Sequence, residues 1–135
     1  MKKYLFILVL VFTGLIMKAQ EGEGGGEKMR DRMKTYIQDK LGLTKDEAEK
    51  FTPVFIRYFR EFRQIRQDNK GDILILKQKI IDLRIRYRTE FRTIMDEQKA
   101  NKVYTMEDEF RQKVIQMTER QRERIENATQ KKNLQ

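Results

Sequence analysis

The sequence predicts an all-α protein with about four helices that pack as an extended helical hairpin or bundle. Along most of the chain, apolar residues recur every three or four positions, which keeps them on one face of a helix. The chain contains a single proline, and no segment alternates polar and apolar residues as a half-buried strand does. With 135 residues, of which 38% are charged, the chain suits one domain of long, solvated helices.

Residues 1–19 have the pattern of a secretory signal peptide. Two lysines near the start are followed by an apolar segment over residues 4–17, which is shorter than the roughly 20 residues that cross a membrane. We therefore expect cleavage after Ala19 rather than a retained anchor. The product would be a periplasmic protein that is soluble and has no stable membrane insertion. Residues 20–26 contain four glycines and predict a flexible linker.

The helical domain is predicted to cover residues 27–127, and its first helix residues 27–41. Apolar residues at helical spacing indicate this helix, and Gly42 follows as its stop. These residues are Met29, Met33, Tyr36, Ile37 and Leu41. The short link over residues 42–44 predicts that the next helix folds back on the first.

A second helix should begin at Lys45 and end near Gly71. Thr44 and Glu47 form a capping box, in which the Thr44 hydroxyl accepts from the Glu47 amide and the Glu47 carboxylate accepts from the Thr44 amide. The face that follows is large and aromatic. Its members are Ala48, Phe51, Phe55, Tyr58, Phe59, Phe62 and Ile65. We expect this face to form most of the core, with Tyr58 or Phe59 left exposed.

The third helix is predicted over residues 72–95, with Asp72 as its N-cap, and it has two apolar stripes. One stripe is a continuous seam of Ile73, Leu76, Ile80, Leu83, Tyr87, Phe91 and Ile94. The other, formed by Leu74, Ile81 and Ile85, lies roughly 100° or more away from the first. This second stripe is either covered by another helix of the same chain or is a surface for self-association or client binding. Both interpretations stay open.

The fourth helix should begin near Asp96 and run to about Asn127. It has one apolar stripe, after which the sequence becomes almost wholly polar, with mixed charges as on a solvated helix. The stripe consists of Val103, Met106, Phe110, Val114 and Met117. Residues 128–135 are predicted to be a frayed tail.

Two short segments of the sequence, residues 43–47 (LTKDE) and 94–98 (IMDEQ), are similar to each other. Each places an apolar residue four positions before Glu or Gln, at the start of a helix, and the candidate motif and cap residues are Leu43, Thr44, Glu47, Ile94 and Gln98. Over roughly residues 28–120, the chain resembles the Spy/CpxP family of periplasmic helical proteins, which has two LTXXQ motifs. It also resembles short exported Bacteroidetes proteins identified as sensors of ECF-type sigma factors. Glu47 stands where the motif has Gln, and Met95 where it has Thr.

The resemblance implies a quaternary structure and a class of partner. Members of the family often pair as an antiparallel dimer that forms a concave, basic and partly apolar cradle, so it implies a homodimer here. They act as ATP-independent chaperones of the envelope stress response for unfolded or partly folded proteins. Others are signalling adaptors that bind a membrane regulator of the anti-sigma-factor or sensor-kinase type. Some relatives bind zinc through His or Cys; this chain has neither, so no metal and no other cofactor is expected.

Arginines and the second stripe of the third helix provide the candidate partner surface. An arginine stem can cover apolar surface while its guanidinium binds carboxylates or aromatic rings, which suits flexible, acidic clients. The candidate residues for client or dimer contact are Arg57, Arg60, Arg63, Leu74, Ile81, Arg84, Ile85 and Arg88. The alternative is an ordinary solvated face whose arginines form ion pairs with Glu61, Asp82 and Glu90.

The sequence offers little for catalysis, and we expect that the protein is not an enzyme. It has no His, no Cys and no Gly-rich phosphate loop. Neighbouring carboxylates such as those of residues 107–109 diverge around a helix, so we interpret them as solvated surface rather than as an acid/base pair or a cation site. The pI near 9.8 would also suit a basic helical nucleic-acid binder. Export argues against nucleic acid as the partner.

Overall fold

The computed structural model describes residues 26–134, which form four α-helices and contain no strand. Helix α1 covers residues 26–41, and the others are α2 (Lys45–Asp68), α3 (Ile73–Arg92) and α4 (Glu97–Asn133). The predicted all-helical class is therefore confirmed. The predicted signal peptide over residues 1–19 and all of the predicted linker except its last residue lie outside the described part. None of the four helices combines the length and the apolar character that a membrane crossing requires.

Consecutive helices fold back on one another across short links. Arg57 of α2 pairs with Glu90 of α3, and Glu61 further along α2 pairs with Arg86 earlier in α3. Residue numbers thus increase along one helix as they decrease along the other, so the two helices are antiparallel. Helix α3 also packs on α4, and α1 contacts both α2 and α4. The result is a four-helix bundle.

The helix starts follow local side-chain chemistry. The Glu47 amide donates to the Thr44 hydroxyl and the Thr44 amide donates to the Glu47 carboxylate, each at 3.2 Å, so the capping box is formed as predicted. Asp72 accepts from two backbone amides of α3 at 3.1 Å, and Asp96 from one amide of α4 at 2.8 Å. Gly42 has a φ of 59°, the left-handed conformation in which glycine commonly ends a helix.

The capping box makes Thr44 a testable stability determinant. We expect Thr44→Ala to lower the free energy of unfolding by about 1 kcal/mol, since the Glu47 amide loses its acceptor. Urea unfolding followed by far-UV circular dichroism measures the change. Thr35→Ala is the matched control, because Thr35 is exposed within α1. An equal loss of stability in both variants would contradict the role of the cap.

The core is an aromatic cluster centred on α2. Its buried apolar members are Met33, Ile37, Phe51, Val54, Phe55, Tyr58, Phe59, Phe62, Leu83, Tyr87, Phe91, Met95, Ala100 and Val103. The expectation that Tyr58 or Phe59 would be exposed is wrong, because the exposed fraction is 0% for Tyr58 and 5% for Phe59. The Tyr58 ring lies 5.4 Å from that of Tyr87 and 5.7 Å from that of Tyr104. Helices on several sides cover this face of α2.

Helix α4 is longer than predicted. It continues beyond the expected end near Asn127 to Asn133, so the frayed tail predicted for residues 128–135 is wrong up to that residue. No glycine or proline interrupts this part of the sequence. Every residue from Ile115 to Leu134 is exposed, and the distal half of α4 therefore lies outside the core. Helix α3, in contrast, ends at Arg92, earlier than the predicted Met95.

Candidate binding surface

One face of α3 has large apolar side chains that no other part of residues 26–134 covers. The exposed fractions are 74% for Leu74, 56% for Ile81 and 51% for Ile85. These three residues, here called the apolar row, are the second stripe of the sequence. No helix between residues 26 and 134 covers them, and their role in self-association or client binding stays a prediction. Ile73 was predicted to belong to the covered seam, but it is 60% exposed.

The apolar row continues into a shallow groove between α3 and α4. The groove has a volume of about 230 Å³, and its lining residues are Ile81, Arg84, Ile85, Arg88, Asn101 and Tyr104. Tyr104 fixes one wall, because its hydroxyl donates to the Arg84 carbonyl at 2.6 Å. The Arg84 guanidinium lies 5.2 Å from the centre of the Tyr104 ring. Four of the predicted surface residues therefore meet in one groove.

Arg84 is more buried than we would expect of an arginine that binds a client. Its side chain is 23% exposed, and its guanidinium donates to Glu107 and, at 2.6 Å, to Asp108. Burial acts to lower the pKa of Arg84, but the hydrogen bond to Asp108 and the charge of Glu107 outweigh it and raise the pKa. The guanidinium is therefore charged and held between α3 and α4, where Arg84 forms part of the groove lining.

Glu107 is a buried carboxylate that sequence reasoning missed. It was interpreted as solvated, but its exposed fraction is 0%. The Tyr58 hydroxyl donates to it at 2.8 Å, and Arg111 Nη2 lies 3.6 Å from Glu107 Oε2. Its position in the sequence could have indicated this burial. Glu107 lies four residues after Val103 and three before Phe110, and this spacing puts its side chain on the apolar stripe of α4.

The polar cluster around Glu107 raises the pKa of the tyrosines that face it. For Tyr58, burial is the main cause and the negative charge of Glu107 the next, and the pKa is raised well above its ordinary value. Burial and Glu107 raise the pKa of Tyr104 in the same way. Both phenols therefore stay neutral and act as hydrogen-bond donors. Tyr58 links α2 to Glu107 of α4, and Tyr104 links α4 to the Arg84 carbonyl of α3.

Ion pairs connect α2 and α3 at the surface of the bundle. The Arg57 and Glu90 side chains are 2.7 Å apart, and those of Arg86 and Glu61 are 2.8 Å apart. Burial acts to raise the pKa of Glu61, but hydrogen bonds from Tyr87 and Arg86 lower it. Burial and the same contact with Glu61 raise the pKa of Tyr87 to about 12. Arg57, predicted as a partner-surface residue, is thus engaged within the chain.

The ion-pair interpretation of the sequence is correct for two of its three carboxylates. Glu61 and Glu90 each accept from an arginine of the facing helix. Asp82 forms no ion pair with any residue between 26 and 134. Arg60 and Arg63, the other predicted residues of α2, lie in a separate groove beside α1. The structure therefore divides the predicted arginines between two surfaces and the interior.

Four of the five predicted motif residues have structural roles, and Gln98 does not. Lys99, at the start of α4, donates to Glu47 at 3.0 Å, so the two similar segments meet at one end of the bundle. This hydrogen bond is the main reason that the pKa of Glu47 is lowered. Leu43 and Ile94 pack partly buried against the core. Gln98 is exposed, and Asp96 rather than Gln98 caps α4.

Comparison with known proteins does not identify a relative. No protein-family model, no curated protein and no solved structure matched this chain. Between residues 26 and 134, no three carboxylate, His or Cys side chains come together in a way that could hold a metal ion. The resemblance to the Spy/CpxP family therefore stays a prediction.

Proposed function

We propose that this protein is exported to the periplasm and binds unfolded or partly folded envelope proteins there without ATP, as a chaperone-like component of the envelope stress response. The observation that carries the proposal is the exposure of Leu74, Ile81 and Ile85 along one face of α3. Soluble proteins rarely expose neighbouring large apolar side chains unless another molecule covers them. Arg88 lines the groove at the end of this row.

The dimensions of the apolar row favour a polypeptide ligand. From Leu74 to Ile85 the helix axis advances by about 16 Å at ~1.5 Å per residue. An extended chain covers this distance with about five residues, since each advances it by ~3.3 Å. Burying a leucine or isoleucine side chain contributes roughly 1.5–3 kcal/mol. Binding of an exposed segment of an unfolded protein to this face can therefore be favourable without a deep pocket.

An aggregation assay tests the proposal. Residues 20–135, the predicted mature chain, are added without ATP to an unrelated unfolding protein at two salt concentrations. We expect suppression of aggregation at stoichiometric amounts. Higher salt should weaken it, because screening reduces the attraction between arginines such as Arg88 and acidic clients.

The apolar row is tested with a matched pair of variants. Leu74→Asp with Ile81→Asp should weaken suppression at least about tenfold, which corresponds to ~1.4 kcal/mol. Helicity should persist, because both side chains are exposed. Met117→Asp with Ile125→Asp makes the same chemical change at exposed positions of α4, 68% and 61% accessible, and should leave suppression unchanged. Equal effects of the two variants, or unfolding of the first, would contradict the proposed surface.

The same assay separates the chaperone from the signalling adaptor. If the unchanged chain gives no suppression at any ratio, the general chaperone proposal fails. The adaptor hypothesis then predicts one tight partner, a membrane stress regulator. A pull-down from the envelope fraction tests it, with the Leu74→Asp, Ile81→Asp variant as the negative control.

A further inference from the structure

A second surface, separate from the apolar row, lies between α1 and α2. It is a groove of about 370 Å³, called here the basic groove, in which the side chains of Arg30, Arg60 and Arg63 converge. The carboxylate of Glu27 and the amide of Gln67 line the same groove, which therefore holds three cationic side chains and one anionic one. Its lining is rich in hydrogen-bond donors. This composition suits an anionic ligand.

Arg30 of the basic groove pairs with Asp31 at 3.2 Å, but Arg60 and Arg63 differ from the arginines that link one helix to another. Arg57, Arg84 and Arg86 each form an ion pair with a carboxylate of a facing helix. Arg60 and Arg63 form none with residues 26–134. Neighbouring like charges repel each other, and an anion bound between them would relieve this repulsion.

The positive charge continues along α2 beyond the basic groove. Arg63 also lines an adjoining cavity of about 420 Å³ together with Arg66 and Lys70. From Arg60 to Asp68, the last residue of α2, the helix advances by about 12 Å, and Lys70 follows in the turn. A ligand with a single negative charge would neutralise only part of this row of basic side chains. A linear molecule with several negative groups would contact all of it.

We propose that the basic groove and its continuation bind a linear polyanion that carries phosphate groups. Guanidinium groups match phosphate oxygens through pairs of parallel hydrogen bonds, which makes phosphate a better fit than a diffuse negative charge. The groove is concave and lies between two helices. A narrow phosphate chain can enter it, whereas a flat membrane surface contacts only its rim.

Gly26 lies against the Arg63 guanidinium at the edge of the basic groove. A side chain at position 26 would place its Cβ only 2.1 Å from Arg63 Nη1 and 2.7 Å from the central guanidinium carbon. The present position of the Arg63 guanidinium is therefore compatible with glycine at position 26 and not with a larger residue. Gly26→Leu would displace this guanidinium without changing the net charge.

The experiment measures binding of a short, end-labelled polyphosphate to the purified protein by fluorescence anisotropy. Arg60→Gln with Arg63→Gln should weaken binding about tenfold or more and make its salt dependence shallower. The control is Arg120→Gln with Arg124→Gln, which removes the same charge from exposed positions of α4. It should change the affinity less than about threefold if the groove, rather than net charge, binds the ligand.

Three outcomes would overturn the proposal. One is an equal loss of affinity in the two double variants, which would indicate attraction by net charge alone. Another is unchanged affinity in Gly26→Leu, because the position of Arg63 would then not matter. The third is binding to vesicles that contain phosphatidylglycerol without binding to polyphosphate, which would indicate a membrane surface as the partner. The aggregation assay is independent of all three, since the apolar row is unchanged in these variants.

Discussion

Glu107→Ala is expected to lower the free energy of unfolding by about 3–5 kcal/mol, the range for breaking a buried ion pair from one side. Glu107 is fully buried and accepts from Tyr58 at 2.8 Å as well as from Arg84. Without it, the Tyr58 hydroxyl has no acceptor and the Arg111 guanidinium loses its nearest carboxylate. Urea unfolding of both proteins at the same pH measures the difference.

The matched control is Glu119→Ala, which changes an exposed glutamate of the same helix. We expect it to shift the free energy of unfolding by less than ~0.5 kcal/mol. Glu107→Gln keeps the shape of the side chain and an acceptor for Tyr58 but removes the charge, so its loss of stability should be intermediate. If Glu107→Ala were no more destabilised than Glu119→Ala, the carboxylate would be solvated rather than buried.

Phe55→Ala is the second large effect, with an expected loss of about 3–5 kcal/mol. The Phe55 side chain is 0% exposed, and its ring centre lies 5.3 Å from that of Phe51 and 5.9 Å from that of Tyr58. Truncation would leave a cavity in the aromatic cluster and remove these ring contacts. Thermal and urea unfolding, followed by circular dichroism, measure the loss.

A graded series makes this test specific. Phe55→Leu fills more of the cavity and should cost less than Phe55→Ala, because less apolar volume is removed. Met117→Ala is the control, since Met117 is 68% exposed on α4, and it should change stability by less than ~0.5 kcal/mol. An equal effect of Phe55→Ala and Met117→Ala would contradict an aromatic core centred on α2.

The sequence by itself determined the features that depend on neighbouring residues. The α2 start after Thr44 and the Asp72 cap are set by side chains within three positions of the amides that they bind. The aromatic face around Phe55 could also be predicted, because its period is a property of one helix. The same reasoning separated Leu74 and Ile81 from the buried seam of α3.

Only the tertiary structure decided which side chains are covered. Whether Ile81 is exposed depends on the helix that lies opposite it, and no local pattern specifies that neighbour. Glu107 looked like a solvated carboxylate because burial of a charge requires partners, and these come from Tyr58 and Arg84, 49 and 23 residues away along the chain. Packing also decides that Arg57 pairs with α3 while Arg63 lines the groove beside α1. Periodicity identifies the faces of a helix, and packing decides which of them are exposed to solvent.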